Sequence, residues 1–261
     1  MTSSPGTLLR VDVANGVSTL TVDSPHNRNA LSTALMTRFL TALSEAVADP
    51  AVRVIVVSHT GPVFCSGADL AETASAGEAG QLPARMLGDL LVALAECPKP
   101  VVARVGGPAR AGGLGLIAAA DIAVCADHAT FAFSEVRIGV IPAVISATVL
   151  PRLAPRAAAE LFLTGETFGA ERAAEIGLVT AAVPAEALDA TVRDYCAALL
   201  RGGPQALAGV KELLRRRPRA TLRDEIAELT ALSEQYFLSA EGREGVQAFR
   251  EKRLPSWVVS T

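Results

Sequence analysis

Rings are scarce in this chain. Of 261 residues only 4% are aromatic, so close approach of small residues must supply much of the packing. A surplus of positive charge is missing too. The 24 Lys and Arg against 27 Asp and Glu give a formal net charge of -3, which leaves nothing to neutralise nucleic-acid phosphates or anionic lipid headgroups. Neither nucleic acid nor membrane is an expected partner. The apolar runs at 114–120 and 140–150 fall short of the roughly 18–20 residues that cross a bilayer, and Asp121 ends the first. The first ten residues show no basic start leading into a long apolar stretch, so no signal or transit peptide is indicated and cytoplasmic residence is the expectation. Cys65, Cys97, Cys125 and Cys196 lack C-x-x-C spacing. That argues against a disulfide framework and against a zinc cluster, and no metal is expected.

Half of the residues are hydrophobic, and the chain is long enough to bury a substantial core as one large domain with an appendage. Residues 8–13 and 17–22 alternate or run apolar around Asn15-Gly16, a dipeptide suited to the positive dihedrals of a tight turn, and predict a β-hairpin. Ser32 stands as an N-cap before Ala34, Leu35, Phe39, Leu43 and Val47, whose spacing predicts an amphipathic helix ending near Asp49-Pro50. Residues 52–58 read as a buried strand, 82–96 as a helix, and Lys99-Pro100 leads into a second buried strand at 101–105. Further strands are expected at 122–125 and 130–133, so the fold class is α/β. From about residue 155 the pattern is mainly helical, with Leu207, Val210 and Leu214 on one face and Leu222, Ile226, Leu229 and Leu232 on another. A core of residues 1–195 followed by a helical segment 196–261 is the expected organisation, with Gly202-Gly203-Pro204 as the clearest joint.

Two loops place small residues where a ligand can approach backbone N–H groups: Phe64-Cys65-Ser66-Gly67-Ala68-Asp69-Leu70 and Ala111-Gly112-Gly113-Leu114-Gly115. A third segment, Phe131 to Pro142, sets Glu135 at the end of an apolar stretch, where partial desolvation tunes a carboxylate for proton transfer. With Arg28-Asn29-Ala30-Leu31 near the start and the run from Glu241 to Trp257 near the end, these strings resemble, in order and spacing, the signatures of the crotonase (enoyl-CoA hydratase/isomerase) superfamily. The resemblance covers nearly the whole chain.

It implies a spiral of ββα units with a helical C-terminal extension, an acyl-CoA thioester substrate, no separate cofactor because coenzyme A is part of the substrate, and a homo-oligomer that is a trimer or a hexamer. Carried over residue by residue, the N–H groups of Ala68 and Gly112 would form the oxyanion hole, with Glu135 as the acid/base. Arg28, Asp69, Leu70 and Gly113 would line the substrate site. Phe249 and Lys252 would reach the coenzyme A site of an adjacent subunit, the lysine meeting a phosphate. For Asp69, a charge favoured at a helix N-terminus is a compatible second reading.

One departure bears on mechanism. Many hydratases of the family use two glutamates, and the position of the first is occupied here by Gly115. The sequence thus resembles the single-glutamate branches, and the stretch from Ser134 to Ser146 looks most like methylglutaconyl-CoA hydratases. Reversible hydration of an enoyl-CoA is the expected reaction. The alternatives are a Δ3,Δ2-enoyl-CoA isomerase with Glu135 as sole proton shuttle, and an acyl-CoA-binding protein without catalysis. Gly113-Leu114-Gly115-Leu116-Ile117-Ala118 also fits G-x-G-x-x-A, but the seven residues 106–112 separate it from the preceding strand, where a dinucleotide fingerprint needs a tight turn. Cys65 and Ser66 read as structural, as does His59 at the end of a buried strand. The arginines at 215, 216, 217 and 219 read as a solvated helix end.

Overall fold

The computed structural model describes residues 8–69, 72, 84–216 and 222–258. Strands β1 (Leu9–Ala14) and β2 (Val17–Val22) form the expected hairpin. Asn15 and Gly16 both take positive φ, 50° and 78°, as a two-residue type I′ turn requires. Helix α1 (Thr33–Ala48) starts at Ser32, whose hydroxyl accepts the Leu35 N–H at 3.3 Å, and buries Leu35, Phe39, Leu43 and Ala46. Strand β3 (Val54–His59) is buried along its whole length, and α2 (Ala84–Ala95) buries Leu87, Leu90, Leu91 and Leu94. These leucines and the half-buried Met86 belong to the main core.

Next come β4 (Val101–Val105), β5 (Ala109–Arg110), α3 (Gly112–Ala119), β6 (Ile122–Ala126) and β7 (Thr130–Ala132). A 3-10 turn (Ser134–Ile138) and α4 (Ala143–Val149) lead to α5 (Pro155–Thr164), β8 (Phe168–Gly169), α6 (Ala170–Glu175), β9 (Ala181–Val183) and α7 (Leu188–Leu200). Helices α8 (Pro204–Arg215), α9 (Leu222–Leu238) and α10 (Ala240–Glu251) follow. The main sheet has the order β1-β2-β3-β4-β6-β9, parallel except for the first pair, and β5-β7-β8 forms a small second sheet. Because both faces of the main sheet's centre are covered, β3, β4 and β6 read as near-continuous apolar runs, whereas β1 at the edge is largely exposed. Ile55, Val57, Val101 and Ala103 face the helices of the main core, whereas Val54, Val56, Val102 and Val124 pack with Leu188, Val192 and Cys196 of α7. No helix among the described residues is long and apolar enough to cross a membrane.

Strand β3, the hairpin's neighbour, begins two residues later than expected and takes in His59. The two-residue strands β5 and β8 are too short for any periodicity, and β9 interrupts the helical C-terminal third. Helix α8 is turned differently from its leucine pattern: Val210 and Leu214 are exposed while Gly209 and Lys211 are buried. Electrostatics sets this rotation. Lys211 pairs with Asp121 and donates to Lys99 O at 3.0 Å, and Asp121 in turn accepts the Val101 N–H at 2.7 Å. Gly209 lets Tyr236 lie directly on the helix backbone. The arginines at the end of α8 are not merely solvated: Arg215 donates to Ala95 O at 2.5 Å and Arg216 pairs with Glu228 at 2.8 Å. Arg217 and Arg219 lie outside the described residues.

Asn29 ties the loop after β2 to the loop after β3. It is fully buried at φ 56°, accepts the Ser24 N–H at 2.8 Å, and donates to Thr60 O at 2.9 Å and Val63 O at 2.7 Å. Removing its amide strands the Ser24 N–H and the Val63 carbonyl, each worth about 1–3 kcal/mol when unsatisfied, while Thr60 O keeps a contact to the His59 ring. Asn29→Ala is therefore expected to lose at least about 2 kcal/mol of stability, read as a fall in the denaturant midpoint.

Candidate active site

Two loops leave the ends of β3 and β4 and run side by side. The Phe64 N–H donates to Pro108 O at 3.0 Å and the Arg110 N–H to Cys65 O at 2.9 Å, so the loops are laced backbone to backbone. Their tips meet at glycines. A β-carbon on Gly67 would lie 2.7 Å from Ala111 Cβ and 3.5 Å from Gly112 N, and one on Gly113 would lie 2.8 Å from Cys65 Cβ. Ala111, at φ 47° and ψ -119°, occupies a backbone region unfavourable to a residue with a β-carbon, a strain of about 1–3 kcal/mol that clusters at functional sites.

Ala68 forms a parallel bridge with Leu31: the Leu31 N–H donates to Gly67 O at 2.8 Å and the Asp69 N–H to Leu31 O at 3.4 Å. In that pattern the N–H of Ala68 itself points away from Leu31. Gly112 is the first residue of α3, so its N–H has no acceptor within the helix. Neither N–H finds an acceptor among the described residues. The arrangement can offer two hydrogen bonds to one oxygen.

The turn that carries Glu135 is tied to the Gly112 loop through the small sheet. Pairing of Ala109 with Phe131 and of Arg110 with Ala132 holds β7 beside the Gly112 loop, and the 3-10 turn carrying Glu135 begins two residues later. Arg137 fixes the turn from outside, bonding to Thr164 O at 3.2 Å and Glu166 at 2.5 Å. The Glu135 side chain is half-buried, and its Oε2 has no hydrogen-bond partner among the described residues. Burial pushes its pKa above the ordinary carboxylate range, opposed by its own backbone N–H.

The place of a second carboxylate is filled. A β-carbon on Gly115 would sit 2.7 Å from Ile145 Cγ2 and 3.2 Å from Leu91 Cδ1. Cys65 is fully buried and its thiol is pushed up to about 12 by burial, which leaves it no reactive thiolate. The stretch between β4 and α3 contains β5 rather than a tight turn, so the dinucleotide pattern lacks its structural context.

Of the other expected residues, Asp69 accepts the Glu72 N–H at 3.1 Å and the Asn27 amide at 3.4 Å. Glu72 in turn accepts the Thr33 N–H of α1 at 2.9 Å, a carboxylate at a helix start that the sequence reading missed. Arg28 is exposed with φ 57°, and its carbonyl accepts the Ser66 N–H at 3.1 Å. Gly113 is buried against Cys65. Leu70 lies outside the described residues. Phe249, 85% exposed, and Lys252 at the C-cap sit on α10, which packs against α8 and α9.

The glycine contact between the loops yields a stability test. Gly67→Ala adds a side chain at φ 94° and within 2.7 Å of Ala111 Cβ, so it should cost about 2–4 kcal/mol from backbone conformation and overpacking together. Ser66→Ala, which removes one long bond to Asn27 O at 3.4 Å, should stay within about 1 kcal/mol of the parent in the same denaturant titration.

Comparison with known proteins agrees with this architecture. A family model described as enoyl-CoA hydratase/isomerase matches residues 12–259. The chain is 36% identical over 249 residues to a protein of Rhodobacter capsulatus named "Probable enoyl-CoA hydratase", covering 95% of this chain and 96% of that one. Among solved structures it is similar to an enoyl-CoA hydratase from Mycobacterium avium at 45% identity and TM-score 0.74, covering 97% and 99% of the two chains. An enoyl-CoA hydratase from Shewanella pealeana superposes with TM-score 0.90 at 31% identity, covering 96% of each chain. With two laced glycine loops, a desolvated glutamate and a matched family model over nearly its full length, the chain belongs to the enoyl-CoA hydratase/isomerase family and is an enzyme of crotonase fold.

Proposed function

We propose that this enzyme reversibly adds water across the α,β double bond of an enoyl-CoA, with the thioester oxygen held by the N–H groups of Ala68 and Gly112 and with Glu135 as the acid/base. The observation that carries the reading is the buried, unpartnered Oε2 of Glu135, tied by the β5–β7 pairing to the loop of Gly112. Two N–H donors favour the enolate oxygen over the ground-state carbonyl, and each is worth about 3–4 kcal/mol in the transition state. Glu135 takes a proton from water as the oxygen bonds to the β-carbon and the π electrons move onto the enolate. The same carboxyl then delivers the proton to the α-carbon. Desolvation strengthens it as a base and keeps it competent as an acid. No separate cofactor enters this scheme.

The closure of the Gly115 position by Ile145 favours a second reading. An isomerase needs one carboxylate to carry a proton from the α- to the γ-carbon through a dienolate, and Glu135 supplies one while position 115 has no room for another. Single-glutamate hydratases of the methylglutaconyl type fit the same arrangement. Mass spectrometry over a panel of acyl-CoA thioesters separates the two reactions, since hydration changes the mass by one water and isomerisation leaves it unchanged. In either case Glu135→Gln should retain coenzyme A binding and lose turnover by about 10²–10⁴-fold. The parent activity should fall as pH drops through a pKa above the ordinary glutamate value, because the base becomes protonated, and turnover near parental in a folded Glu135→Gln protein would sink the mechanism.

The same proposal includes assembly into a trimer or hexamer, with Lys252 of one subunit meeting a coenzyme A phosphate in another. Phe237, Leu238, Phe249 and Leu254 are exposed on the C-terminal helices and tail, an apolar surface of the kind that subunit contacts cover. Light scattering should return three or six times the 27.0 kDa chain mass, and a stable monomer at micromolar concentration contradicts the assembly.

A further inference from the structure

The ladder between β3 and β4 stops at Val57 and Ala103, short of the two strand ends. Beyond it the chains diverge into the loops that carry Ala68 and Gly112, and the first contact to bridge them is a side chain. His59 Nε2 accepts the Gly106 N–H at 3.0 Å. The contacts that follow are mostly backbone. A β-carbon on Gly107 would overlap Pro62 O, and the Phe64 to Pro108 and Arg110 to Cys65 bonds then lead to the meeting of Gly67 with Gly112. A shift of Gly106 thus enters the run of contacts at its base.

The ring is held in one state. His59 is buried, packs edge-on against Phe64 with centroids 5.4 Å apart at 78°, and its Nδ1 lies 3.4 Å from Thr60 O, to which it donates when Nε2 accepts. Accepting from Gly106 requires a neutral imidazole. The charged and titratable groups around it disfavour a second proton or are engaged elsewhere: Arg104, beside Gly106 and bonded to Asp189; His128, whose Nε2 lies 3.2 Å from Gly106 O and whose Nδ1 faces Asp127; and Asp23, which accepts from Thr60. Burial first, then the Arg104 charge, lowers the His59 pKa, opposed by its bonds to backbone carbonyls.

We infer that His59 is a positioning residue of the thioester site, its neutral ring fixing Gly106 and through it the spacing between the N–H groups of Ala68 and Gly112. The inference rests on the oxyanion reading proposed above, and a spectroscopic probe separates the two. A 4-(dimethylamino)cinnamoyl thioester of coenzyme A absorbs further to the red when its carbonyl is polarised by hydrogen bonds, whether or not any turnover occurs. The parent protein should shift the bound probe to the red. Absence of that shift would remove the oxyanion reading and this inference together.

Given the shift, His59→Leu should abolish most of it and lower kcat by about 10²-fold, the scale of a small misplacement at a reacting centre, with KM changed less than about threefold because ground-state contacts persist. His59→Gln, which keeps an acceptor near the position of Nε2, should recover both within about threefold of the parent on the same grounds. A parental shift and kcat in folded His59→Leu overturns the inference and leaves the function standing. Should His59→Leu fail to fold, pH supplies the test. In Glu135→Gln protein the red shift should fade as pH falls below the ordinary histidine range and return on neutralisation, whereas the double variant with His59→Gln should keep it. A shift that persists unchanged at low pH in the folded Glu135→Gln protein also overturns the inference.

Discussion

Close approach of Gly67 to Ala111, beside Gly112, is the constraint on which this arrangement of loops depends. Two strands of a parallel sheet end at about the same level, and their loops would ordinarily splay apart under the twist of the sheet. Here they are drawn together until a β-carbon on Gly67 would overlap the side chain of Ala111. The cost is visible in the strained φ and ψ of Ala111 and in the positive φ of Gly67. The surrounding lattice of backbone bonds, from Phe64 to Pro108 and from Cys65 to Arg110, over-determines the geometry. Asn29 adds a third loop to the same lattice.

Glu135 illustrates the complementary problem of keeping a carboxyl available without satisfying it. An acid at a strand end would normally be claimed by an arginine, and Arg137 lies two residues away, yet that guanidinium is taken up by Glu166 and Thr164 O. Glu135 is left half-buried and unneutralised, its ionised form disfavoured by burial. A pairing that looks like surface decoration thus keeps that guanidinium from neutralising its neighbour.

Much of this was legible in local sequence because local physics governs it. Asn15-Gly16 specifies a turn with two positive φ values, Ser32 caps α1, and the glycines at 67, 112 and 113 mark places where backbones touch. What escaped was set by partners distant in the chain. The leucines of α8 suggested one buried face, but the ion pair between Lys211 and Asp121, ninety residues apart, rotates the helix to another. Strands β5 and β8 exist only because β7 lies between them. The sequence places His59 at the end of a buried strand, but its link to Gly106 depends on where the β3–β4 ladder stops, which no single-strand pattern encodes.

Ile145 makes the glycine at 115 difficult to reverse. Any side chain restored there meets a branched residue already packed at 2% exposure, and trimming that residue first opens a cavity, at about 2–5 kcal/mol for Ile→Ala. Either substitution made alone carries a cost, so a side chain at 115 and a smaller residue at 145 would have to arrive together.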